Sequence, residues 1–134
     1  MNCFHKATID RIIRFLIVDD NIHFRIVLRE ILLDIGEVEA TWNGAEALER
    51  TRERTFDVII TDINMPLMGG IEFYQQAVEI HPALRDRFVF CSNELTTEQT
   101  EFLEEQGLHL LQKPFGMNRL LDVIKDILQA TEDE

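Results

Sequence analysis

Five short apolar runs are spaced along the chain, each followed by a stretch of helical periodicity. This alternation restricts the fold more than any other feature. The runs are Phe15–Val18 (FLIV), Val38–Thr41 (VEAT, short and the weakest strand candidate of the five), Val58–Thr61 (VIIT), Arg87–Cys91 (RFVFC) and Leu108–Leu111. They are too short for helices, and most are rich in β-branched or aromatic residues, so they read as strands. Between the first two, apolar residues recur from Phe24 through Val27, Leu28, Ile31, Leu32 and Ile35, and Gly36 closes the pattern as a C-cap residue. Asn43 with Glu46 forms a capping-box pattern that opens the next helix, followed by Ala47 and Leu48. Ile71, Tyr74 and Val78 form a stripe ended by His81-Pro82. Thr96 and Gln99 repeat the capping pattern before a helix that ends ahead of Gly107. Met117, Leu120, Leu121, Ile124, Ile127 and Leu128 make the clearest amphipathic helix. Strands alternating with helices require right-handed crossovers, which predicts a doubly wound, five-stranded parallel sheet with helices on both faces.

The bulk numbers narrow the classes. A chain of 134 residues suits one domain, placed at 14–130, with 1–13 as an N-terminal extension and 131–134 (TEDE) as an acidic, solvated tail. Its 46% hydrophobic content supports a real core. A net charge of −12 opposes direct binding to nucleic acid or an anionic membrane. No apolar run approaches the roughly 20 residues of a membrane span, and the N-terminus lacks a signal peptide's apolar centre. Cys3 and Cys91 are too far apart for a motif, so a reduced, cytoplasmic protein is expected.

In such sheets, sites lie outside the carboxyl ends of the strands. Strand one delivers Asp19 and Asp20 there, strand three Asp62, strand four Ser92, and strand five leads to Lys113. Three carboxylates at close range raise one another's pKa unless a counter-charge intervenes. A divalent cation resolves the conflict, and an all-oxygen, partly hydrated site favours Mg²⁺. Lys113 supplies a positive charge for a phosphoryl oxygen, and Ser92 a hydroxyl donor. Together the set describes phosphoryl transfer to a carboxylate. Singly, each has a plainer account: acids decorate helix starts and serine forms turns.

The stretches FLIVDDN, WNGAEAL, DVIITDINMPLMGGIEF, FVFCSN and LLQKPF, in this order and spacing, resemble the receiver domain of two-component response regulators. The likeness spans roughly Arg14 to Ala130 and implies a (βα)5, flavodoxin-like fold in three layers, as in chemotaxis regulators. By this resemblance Asp62 is the phosphoacceptor. Asp20 ligates Mg²⁺ (or Mn²⁺) directly, Asp19 through water, and Asn64 through its backbone carbonyl. Ser92 and Lys113 hold the phosphoryl oxygens, and Pro114 follows by a cis bond. The implied donor is a histidine kinase, a phosphotransfer protein or a small phosphodonor such as acetyl phosphate. The implied downstream partner binds the face of helix 4, strand 5 and helix 5, with a homodimer also open to the chain. The protein would catalyse only its own phosphorylation and dephosphorylation, as a single-domain regulator or a receiver cut from a longer hybrid kinase.

Two positions depart from the family pattern. Leu110 stands where a Tyr or Phe usually switches, and Asn93 stands where a small residue is usual. Asn64, Asn93 and Glu94 occupy positions that tune phosphoryl lifetime in the family. A constitutive interaction module is the second reading, motivated by Leu110. An aspartyl-nucleophile phosphatase wants a carboxylate where Asn64 stands, and a flavodoxin-type carrier would need a phosphate loop where Asp19-Asp20 stand. His5, His23, His81 and His109 have no metal spacing. Trp42 is expected to cover the second strand–helix junction, and Glu101, Glu104 and Glu105 to form a solvated helix face.

Overall fold

The computed structural model describes residues 11–132; Cys3, His5 and most of the expected N-terminal extension lie outside this range. The strands are β1 (Arg14–Val18), β2 (Glu37–Thr41), β3 (Val58–Asp62), β4 (Phe88–Ser92) and β5 (His109–Gln112). The helices are α1 (Ile22–Leu33), α2 (Gly44–Glu53), α3 (Gly70–Ile80), α4 (Thr97–Gln106) and α5 (Met117–Glu132), with a 3₁₀ segment over Pro82–Arg87. One parallel sheet in the order β2-β1-β3-β4-β5 carries them. This is the expected doubly wound architecture of five strands.

Alternation along each strand divides the core in two. Phe15, Ile17, Val58, Ile60, Val89, Cys91 and Leu111 face α1 and α5, meeting Leu28, Leu32, Leu120, Ile124, Ile127 and Leu128. Leu16, Val18, Ile59, Phe88 and Phe90 face the other way, onto Ala47, Leu48, Phe73, Tyr74, Ala77 and Leu103. β3 and β4 are buried along their whole length, which is why both read as unbroken apolar runs. On the second face Tyr74 meets Phe88 edge-on at 5.0 Å and Phe90 at 5.6 Å. Such aromatic pairs add to the area they bury. In α5 the apolar positions 120, 124, 127 and 128 are all at most 1% exposed, one continuous stripe.

Local signals decide the helix ends. Asn43 caps α2 by accepting from the Glu46 amide at 2.9 Å, but Glu46 turns its carboxylate to Arg50 rather than closing a box. Thr96 and Gln99 form the complete capping box at α4, and Gly107 ends that helix in the left-handed region at φ 66°.

Several boundaries differ from the sequence expectation. Gly36 is not the cap of α1: Asp34 takes that place in right-handed conformation. Glycine is required at 36 because a Cβ there would lie 2.1 Å from the Ile13 carbonyl oxygen. Ile13, assigned to the extension, is fully buried and its carbonyl accepts from the Glu37 amide; packing therefore begins before Arg14. The 3₁₀ segment after His81 had no periodic signature, because Pro82 opens it and only Leu84 is buried. α5 continues through Thr131 and Glu132, where a tail was expected, and the Thr131 hydroxyl donates back to the Ile127 carbonyl. Among the described residues no helix is long and apolar enough to cross a membrane.

Candidate functional site

β3 and β1, side by side in the sheet, set the geometry of the site. Asp62 closes β3, and the chain must then turn sharply to begin α3. Gly70 permits this turn: a Cβ on it would come within 2.1 Å of the Asp62 carbonyl oxygen, and its amide donates to the Ile63 carbonyl at 2.9 Å. Met65-Pro66 leads into Leu67, a non-glycine residue at φ 70° that is 89% exposed. This loop lies against the start of α2, where the Gly44 amide donates to the Met68 carbonyl.

Asp19 follows β1 and is buried. One of its oxygens accepts from the Asn21 amide at 2.8 Å and the other from Lys113 Nζ at 2.6 Å. Its backbone carbonyl accepts from the Arg25 guanidinium at 2.7 Å. Lys113 Nζ also stands 3.9 Å from Asp62 Oδ1 and 4.0 Å above the Phe24 ring, a cation–π contact that restrains the ammonium. Phe24 is in turn held edge-on by Phe115 at 5.9 Å. The Lys113 amide donates to the Ser92 carbonyl at 2.8 Å, and the Lys113-Pro114 bond is cis, as expected.

Oxygen atoms of Asp19, Asp20 and Asp62 all lie within 4.8 Å of one another. Burial, with the Asp19 charge adding to it and Lys113 opposing both, pushes the Asp62 carboxyl up to about 6 from its ordinary 3.8. The clustered oxygens and the raised carboxyl fit a hard cation: the donors are all oxygen, and Asp20 is exposed where a hydrated ion could enter. Cys91, beside this cluster, is buried and its thiol is pushed up to about 12, which leaves it inert as a nucleophile.

The structure brings Asp19, Asp20, Asp62, Asn64, Ser92, Asn93, Glu94 and Lys113 around one open cleft of about 560 Å³. Pro114 shapes the adjoining wall. Leu110 is not at the cleft: it sits half-buried on the opposite core face, paired in register with Phe90. Ser92 does not point its proton at Asp62; its hydroxyl donates to the Glu94 carbonyl at 2.5 Å. Trp42 is 55% exposed, so it covers its junction only in part. Asn21, Phe24, Arg25 and Gln99 also contribute, and sequence reasoning gave none of them a site role. Asn21, the last residue of FLIVDDN, caps α1 by accepting from the Phe24 amide, a role the sequence analysis did not assign it. The contact of Gln99 with Asn64 spans 35 residues and leaves no local signal.

Comparisons with known proteins agree with this fold. Residues 15–125 match the response regulator receiver domain family. The chain is 39% identical over 112 residues to a response regulator receiver protein of Anaeromyxobacter sp., covering 82% of this chain and 46% of that protein. It is 34% identical over 120 residues to the response regulator receiver protein CpdR of Brucella abortus, covering 87% of this chain and 98% of CpdR. It also aligns with the sensory/regulatory protein RpfC of Xanthomonas campestris, at 32% identity over 95% of this chain but 18% of RpfC. Lengths of these relatives thus range from a bare domain to proteins of which the chain spans less than half. Among solved structures, a CheY-like receiver domain protein from Methanospirillum hungatei superposes with a TM-score of 0.83 at 27% identity, covering 91% of this chain and 98% of that one. The chemotaxis protein CheY4 of Vibrio cholerae gives 0.76 at 32% identity, covering 87% and 98%. On the family match and these relatives, the chain is a signalling module of the response regulator receiver domain family.

Proposed function

We propose that the chain is the phosphoacceptor of a two-component phosphorelay, with Asp62 as nucleophile. The observation that carries this reading is the Asp62 carboxylate, raised at the tip of the central strand and 3.9 Å from the Lys113 ammonium, beside two further carboxylates. Asp62 attacks the phosphorus of a phosphohistidine; the P–N bond breaks and the imidazole leaves with its electron pair. Lys113, now on Asp19, is near enough to share its charge with a phosphoryl oxygen, and the Ser92 hydroxyl reaches another only after releasing Glu94. Asp19, Asp20 and Asp62 would hold Mg²⁺ (or Mn²⁺) through carboxylates, with Asn64 offering its backbone carbonyl. The bound ion supplies charge neutralisation for the carboxylates and for the transferring group.

The donor is a histidine kinase or phosphotransfer protein, and the downstream protein meets the face of α4, β5 and α5. Populations of two conformations shift if the phosphoryl group favours one of them by a few kcal/mol. Incubation with acetyl phosphate and Mg²⁺, followed by intact mass measurement, should add one phosphoryl group to the wild type and none to Asp62→Asn. No added mass on the wild type, where a control receiver reacts, refutes the proposal.

A second reading, a constitutive interaction module, draws on Leu110 and on the engagement of the Ser92 hydroxyl by Glu94. It predicts partner affinity that does not change on phosphorylation.

A further inference from the structure

The hydrogen bonds around Ser92 lead away from Asp62 to the first turn of α4. Asn64 Nδ2 donates at 2.9 Å to the Glu94 carbonyl, the same oxygen that takes the Ser92 hydroxyl. Asn64 Oδ1 accepts from Gln99 Nε2 at 3.0 Å. Gln99 Oε1 accepts from the Thr96 amide at 3.0 Å, and the Gln99 amide donates to Thr96 Oγ1 at 3.1 Å. One carboxamide is therefore held at both ends. Its oxygen belongs to the helix cap, and its amine reaches the loop that follows the phosphorylation site.

We infer that Gln99 is a positioning residue that couples the state of Asp62 to the first turn of α4, an inference resting on Asp62 being the phosphoacceptor. The Ser92 hydroxyl has one proton. When it donates to a phosphoryl oxygen, the Glu94 carbonyl loses that bond and Asn64 is left as its side-chain donor. Gln99 sets the orientation of Asn64, because engaging Oδ1 leaves Nδ2 facing Glu94. Movement of Asn64 with its loop is passed to the Gln99 carboxamide, and through its oxygen to the Thr96 amide. That amide is one of the donors a helix start must satisfy. This route is entirely polar and does not depend on an aromatic residue at the position of Leu110.

Two variants separate coupling from capping. Gln99→Glu keeps an oxygen for the Thr96 amide, as in the usual capping box, and deletes the amine that reaches Asn64. Thr96→Ala removes the cap hydroxyl and leaves that amine in place. The readout is backbone amide exchange at position 96 by NMR, with and without beryllofluoride and Mg²⁺ as a stand-in for the phosphoryl group. In the wild type and in Thr96→Ala, exchange should accelerate about fivefold, the ratio expected for one net hydrogen bond. In Gln99→Glu the change should fall below about twofold, while the Ile63 and Ser92 resonances still shift on binding. A wild-type response in Gln99→Glu, or its loss in Thr96→Ala, overturns the coupling role. No shift at Ile63 and Ser92 in the wild type would instead remove the acceptor itself, and the coupling with it.

Discussion

Removing the Asp62 charge should stabilise the metal-free protein, although it destroys the proposed acceptor. The Asp62 side chain is 11% exposed, and burial with the Asp19 charge raises its carboxyl from 3.8 to about 6. A folded-state value above the unfolded one means that the native protein holds this proton more tightly. The associated stability is fully present below 3.8 and is lost as pH rises through about 6. At about 1.4 kcal/mol per tenfold change in proton affinity, the loss is about 3 kcal/mol. Asp62→Asn keeps an oxygen for the Ile63 amide, which now donates to Oδ1 at 3.0 Å, and leaves Lys113 paired with Asp19. In urea titrations with EDTA, the variant should therefore exceed the wild type by about 2–3 kcal/mol near neutral pH. The advantage should shrink to near zero as pH falls to the ordinary carboxyl value of 3.8. Mg²⁺ should restore much of the wild-type stability by binding the native state, and do less for the variant. Equal stability of the two proteins across the whole pH range, without metal, would refute the electrostatic account of this site.

Gly70→Ala should destabilise the fold by about 2 kcal/mol or more and slow acetyl phosphate incorporation, because the new Cβ meets the Asp62 carbonyl oxygen at 2.1 Å; urea unfolding and intact mass check both halves. Leu67→Gly should stabilise by about 1 kcal/mol in the same unfolding assay, since a left-handed leucine is strained and this one, at 89% exposure, loses little packing. Asn93→Ala should change the lifetime of the phosphorylated form, because Asn93 lines the cleft beside Ser92 and Lys113; equal lifetimes by time-resolved mass measurement would show that its side chain does not obstruct the hydrolytic water.

Most of the site was legible before any coordinates, for a local reason. In a parallel sheet the carboxyl end of every strand lies on one edge, so Asp19, Asp62 and Ser92 could be grouped once their strands were recognised. Lys113 followed from β5 in the same way. What escaped was the direction of side chains. Ser92 was expected to face the phosphoryl position, and its proton goes to Glu94. Asn64 was assigned a backbone carbonyl for the metal and a lifetime-tuning position, but not the bridge that its side-chain amide makes between Glu94 and Gln99. Phe24 was read as the first apolar position of a helix, and its ring lies under the Lys113 ammonium.

The sequence by itself determined the alternation of strands and helices, the parallel sheet and the residues at its working edge. Those follow from periodicity, capping residues and the handedness of crossovers, which are short-range properties. Tertiary structure alone decided the boundaries at Ile13 and Glu132, the requirement for glycine at 36 and 70, and the acidity of Asp62. Each depends on atoms far away in the chain. Gly36 yields to Ile13 because two backbones meet, and Asp62 binds a proton more tightly than an ordinary carboxyl because burial and Asp19 act on it together. DVIITDINMPLMGG shows where an aspartate ends a strand; only packing shows how strongly that aspartate resists its own charge.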